Sequence, residues 1–141
     1  MTSPPAASAV LHASDVTPGD VDALAAFLRA RLDDLRHVHT YDSADYLPAR
    51  ALETAVFNLL YNMRQVFEVD DGSQQMLRAR RRHWNQLCQV MAPWRETEGY
   101  DTARWQEVNY IDPQEAAEMA EHRAKRDAER AAYRRERLAM L

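Results

Sequence analysis

Between Pro48 and Phe67, the apolar residues Leu52, Val56, Leu59, Leu60, Met63, Val66 and Phe67 recur in the steps of a single helical face. A helix turns about 100° per residue, so this spacing gives one continuous apolar stripe. A stripe this strong has to be covered, which predicts a central helix with Pro48 in its first turn. Two more helices are available to cover it. Thr17, Pro18 and Asp20 supply a cap, a first-turn proline and a capping-box acid. Val21, Leu24, Ala25, Leu28, Leu32 and Leu35 then share one face of a helix ending near Val38. Further on, Gly72 breaks the chain, Ser73 caps, and a third helix is expected from Gln74 to Ala92, stopped by Pro93.

Only three glycines occur in 141 residues, too few for a protein of many tight turns. The expected fold class is therefore all-α: a small antiparallel helical bundle with a long charged C-terminal helix. Residues 1–14, rich in Pro, Ala and Ser without a period, are expected to form a disordered arm. Residues 15–112 form the bundle, including an aromatic strap, "PWRETEGYDTARWQEVNYIDP", with one short helical turn after Asp101. Residues 113–141 form the long helix, opened by Asp112, Pro113 and Glu115. At about 1.5 Å per residue it would run roughly 40 Å.

Bulk properties exclude several classes. The net charge of −4 gives no whole-chain attraction for polyanions. A single cysteine, Cys88, rules out an intramolecular disulfide and a cysteine-only zinc site. No apolar run approaches the roughly 20 residues of a membrane span, and the first residues lack the basic start of a secretory signal. The expected location is cytoplasmic.

The segment "LRARRRHWNQLC", residues 77–88, carries the densest positive charge. On a helical wheel Met76, Leu77, Trp84, Leu87, Cys88 and Met91 share the core face, and Arg78, Arg81, Arg82, Asn85 and Gln89 share the opposite, solvated face. Arg80 falls among the apolar residues and must snorkel or meet a carboxylate. Trp84 faces the core and is no stacking platform, so a nucleic-acid surface at Arg78, Arg81 and Arg82 is the alternative reading rather than the leading one.

Catalytic chemistry finds little support. His37, His39, Asp42 and Asp45 are ligand types, but residues two apart on a helix face nearly opposite ways, and no four-ligand zinc pattern is completed. His83 and Cys88 diverge by about 140° on a helix, so Cys88 is expected to be a core residue. There is no nucleophile elbow, phosphate loop or H-E-x-x-H. No catalytic residue, metal or cofactor is assigned.

Interaction chemistry is better represented. Arg50, Phe57, Tyr61 and Arg64 lie together on the flank of the second helix away from its apolar stripe. Tyrosine and arginine are enriched at interface hot spots. These residues are either a second core face or a partner-binding ridge, and exposure decides between the two. On the fourth helix Ala117, Ala120, Ala124, Ala128, Ala131 and Leu138 form a narrow small-residue line, beside favourably spaced Glu121–Lys125 and Arg123–Asp127. That helix is either a solvated one or a surface for self-association.

Two segments carry a resemblance. "DALAAFLRARLDD", residues 22–34, looks like the opening helix of a group of small actinobacterial and actinophage proteins of unknown function. Pro93, Trp94, Gly99, Tyr100 and Trp105 occur in the order of a later segment of that group. The arginine-rich composition agrees. The resemblance implies a phage- or mobile-element-related protein and supplies no catalytic residues. It directs attention to Trp94, Tyr100 and Trp105, expected to pin the strap across the bundle. The expected function is a non-enzymatic cytoplasmic interaction module that binds a protein partner and self-associates through helix faces.

Overall fold

The structure, a computed structural model, describes residues 9–38, 44 and 46–141. Four helices follow one another: α1 (Pro18–Val38), α2 (Tyr46–Glu68), α3 (Gln74–Met91) and α4 (Pro113–Ala139). Short 3₁₀ turns lie at Ala13–Asp15 and Ala92–Trp94. The chain forms two compact units, Met1–Asn109 and Tyr110–Leu141.

Local chemistry sets the helix starts. At α1, Thr17 N–H donates to Asp20 Oδ2 at 2.8 Å and Asp20 N–H returns to Thr17 Oγ1 at 3.2 Å, a reciprocal capping box. At α3, Ser73 Oγ accepts from Met76 N–H, after a turn in which Gly72 takes φ +74° and Asp70 and Asp71 accept local backbone N–H groups. At α4, Asp112 accepts from Glu115 N–H and Pro113 fills the first turn. The second helix begins at Tyr46, so Pro48 sits inside its first turn.

In the first unit, α2 packs against both α1 and α3. Leu24 and Leu28 from α1, Val56 and Met63 from α2, and Trp84, Leu87 and Met91 from α3 are fully buried in one core. The expectation of a disordered arm through residue 14 is corrected for residues 9–14. Val10 and Val16 are both buried in this core, on either side of the Ala13–Asp15 turn. The turn is fixed by Asp15, whose carboxylate accepts from the Leu11 and His12 N–H groups. Residues 1–8 lie outside the described residues.

The strap, residues 95–109, is pinned from several directions. Trp105 and Val108 are buried. Phe27, Tyr100 and Trp105 form a cluster with ring centroids 5.1–5.7 Å apart, two of the three pairs edge-to-face. Gly99, at φ +89°, makes the turn that brings Tyr100 to Phe27. The solvated reading of the polar face of α3 is corrected at Asn85, which is half-buried against the strap, while Gln89 stays exposed. Asn85 exchanges two hydrogen bonds with the backbone of Val108, and Gln89 donates to Glu107 at 2.7 Å. Trp84 Nε1 also donates to the Gln106 carbonyl at 2.9 Å, so a core residue gives its polar tip to the strap. After Asp101 the chain makes a single turn closed by Trp105 N–H on the Asp101 carbonyl.

The second unit is dominated by α4, a 27-residue helix with no buried residue. Tyr133, Leu138 and Met140 are among its exposed apolar side chains.

Candidate interaction surface

The 23-residue α2 helix divides its residues cleanly. Val56, Leu60, Met63 and Val66 are buried on the core side. On the other side Phe57 is 43% and Tyr61 63% exposed, with Arg50 and Arg64 exposed at the ends of the same line. All four expected ridge residues therefore reach the surface, and the second-core-face alternative does not apply to them. Two aromatics on adjacent turns of a helix whose opposite face is locked in the core stand on a backbone that is already ordered.

Neighbouring contacts hold the ridge at its edges. Arg64 lies 3.7 Å from Asp22 of α1, and Thr54 Oγ1 donates to the Arg50 carbonyl. Arg36 of α1 pairs through two nitrogens with the carboxylate of Glu53. That hydrogen-bonded carboxylate holds Arg36 still more firmly in its charged form. Beside this pair lies a shallow groove of about 250 Å³, lined by Arg36, Tyr46, Arg50, Glu53, Thr54 and Phe57. The surface offers aromatic faces, flanking guanidinium groups and a groove edge, with tyrosine and arginine among the residue types enriched at protein interfaces. The exposed line also takes in Thr54, between Arg50 and Phe57, and runs on past Arg64 to Glu68. Thr54 and Glu68 are exposed and share its helical spacing. The sequence reading took in neither, because neither residue type marks an interface by itself.

The other candidate residues are placed differently. In α3, Arg82 is exposed while Arg78 and Arg81 are half-buried. Arg80 is only 9% exposed; its Nη2 donates to Asp70 at 2.6 Å, and its guanidinium lies 4.4 Å from the Phe67 ring centroid. Cys88 is buried, and burial with the nearby Glu107 charge pushes its thiol pKa up to about 12. A thiol held protonated is no nucleophile at neutral pH. His37 is exposed in the last turn of α1, whereas His39, Asp42 and Asp45 lie outside the described residues. Among the described residues no three His, Cys, Asp or Glu side chains gather as a metal site, and no helix is long and apolar enough to cross a membrane.

No family model, curated protein or solved structure matches this chain.

Proposed function

We propose that the protein is a non-enzymatic protein–protein interaction module whose recognition surface is the outer ridge of α2: Arg50, Phe57, Tyr61 and Arg64. One observation carries the reading. Phe57 and Tyr61 stand exposed on successive turns of a helix whose opposite face is buried in the core. Exposing two large aromatics together is unfavourable in water and is relieved when a partner covers them. Flanking arginines add hydrogen bonding and orientation at the rim. We extend the proposal to self-association through helix faces and, on the resemblance of the opening helix and strap to actinobacterial and actinophage proteins, to a phage- or mobile-element-related role.

The double variant Phe57→Ala/Tyr61→Ala tests this. It is expected to fold as the parent does and to lose partner binding. Full binding by the folded double variant would remove the ridge from the account.

A further inference from the structure

We infer that the α2 ridge docks the α2 ridge of a second copy of this chain, antiparallel about a two-fold axis level with Leu59. The inference rests on the ridge reading and names its partner. Arg50, Thr54, Phe57, Tyr61, Arg64 and Glu68 follow one another in steps of four, three, four, three and four residues. At about 100° per residue all six fall within about 80° of the helix surface. This is the seam spacing by which two helices interdigitate. All six are exposed.

The order of residues along the seam selects the orientation. With a second copy antiparallel and centred on Leu59, Phe57 meets Tyr61 of the second copy. Thr54 meets Arg64, and Arg50 meets Glu68. Each pairing occurs twice by symmetry, as an isologous interface requires. The aromatics sit at the centre and opposite charges sit at the ends. A parallel pairing would set Arg50 against Arg50, Arg64 against Arg64 and Glu68 against Glu68, so like charges oppose it. The flank away from α1 agrees. Leu47, 59% exposed, and Val69, 60% exposed, lie at opposite ends of α2 on that flank, and only the antiparallel arrangement brings them together. Arg50, Arg64 and Glu68 each already touch a neighbour in their own chain and still stand exposed to solvent.

A seam one helix wide belongs with the smaller, weaker interfaces, so association is expected at roughly tens to hundreds of micromolar chain. The test is sedimentation equilibrium of the full chain, with circular dichroism confirming that each variant folds. The parent is expected to dimerise. Arg50→Glu and Glu68→Arg should each weaken the dimer about tenfold, by replacing two attractive contacts with two repulsive ones. The combined Arg50→Glu/Glu68→Arg variant should recover the parent's association. A chain that stays monomeric throughout this range overturns the pairing and leaves the ridge to a different protein. A dimer in which both single changes are neutral also overturns it, because only the antiparallel register sets position 50 against position 68. Failure of the ridge reading itself shows differently: Phe57→Ala/Tyr61→Ala then leaves both self-association and binding of other proteins unchanged.

Discussion

Arg104 grips Asp20 across 84 residues of sequence, with Nε 3.0 Å from one carboxylate oxygen and Nη2 2.5 Å from the other. The same Nη2 also donates to the Asp15 carbonyl at 2.9 Å. One guanidinium thus ties the strap to the first turn of α1 and to the N-terminal 3₁₀ turn. Both side chains are largely shielded from water, so the bidentate pair is stronger than a surface ion pair. Arg104→Ala is expected to destabilise the fold by about 2 kcal/mol, since Asp20 is left with a lost charged partner. Arg104→Lys should recover only part of this, because an ammonium lacks the planar fork. Urea denaturation of the three proteins checks both statements.

The same contact sets a pH dependence. Burial alone pushes the Asp20 carboxyl up, but hydrogen bonds from Arg104 and Thr17 outweigh it and hold the group below its ordinary 3.8. Asp15 is likewise lowered, chiefly by the His12 and Leu11 N–H groups. A carboxyl whose folded pKa is depressed stabilises the fold above its unfolded pKa, and that stability is lost as pH falls through the folded value. Stability should therefore fall as pH drops below about 4. The difference between the parent and Asp20→Asn should be full near neutrality and shrink steadily through this acid range. A difference that stays constant down to about pH 2 would show that Asp20 is not the titrating group.

Arg80 offers a test of a buried charge. Its Nη2 meets Asp70 and its guanidinium lies over Phe67, while its Nε is buried without a hydrogen-bond partner. Asp70→Ala strands the guanidinium and should cost about 3 kcal/mol. Arg80→Met removes the charge and keeps the volume, and is expected to be neutral or stabilising, because desolvation offsets most of what the pair contributes. Thermal unfolding of the two variants should thus move in clearly different amounts, with Asp70→Ala the less stable.

Much of this was legible in the sequence, for identifiable reasons. Helix positions followed from apolar periodicity and from caps that act within four residues, such as Thr17 with Asp20 and Asp112 with Glu115. Arg80 could be recognised as having to snorkel or meet a carboxylate because an unpaired guanidinium among Trp84, Leu87 and Met91 is costly. Naming Asp70 was beyond periodicity, since the turn between α2 and α3 decides which acid arrives. The burial of Val10 and the grip of Arg104 on Asp20 were missed for the same reason: nothing local encodes a contact across the fold. Asn85 lay on a polar face whose composition is the same whether water or strap backbone covers it. The ridge residues were visible as a group, but only packing could show that α1 and α3 leave them uncovered.

Cys88 should behave as an inert core residue. Its thiol is held protonated well above neutral pH and shielded by the core. Ellman's reagent at neutral pH is expected to leave it unmodified in the folded protein and to titrate it fully in denaturant. Rapid reaction in the native state would mean that the core around Trp84 and Met91 opens readily.

The ridge predicts a dissociation between stability and binding. Phe57 and Tyr61 are exposed, so truncating each should change stability by no more than about 0.5–1 kcal/mol. Thermal unfolding of Phe57→Ala/Tyr61→Ala should therefore stay close to that of the parent. A collapse of the transition would show that these rings act as core.

Affinity capture of the tagged full chain from its native host, repeated with nuclease and with Phe57→Ala/Tyr61→Ala, tests the interaction-module account most directly. The account predicts a protein recovered in stoichiometric amount, retained after nuclease and lost from the double variant. Capture that disappears with nuclease and persists in the double variant would contradict it, and would move the function to the arginine face formed by Arg78, Arg81 and Arg82.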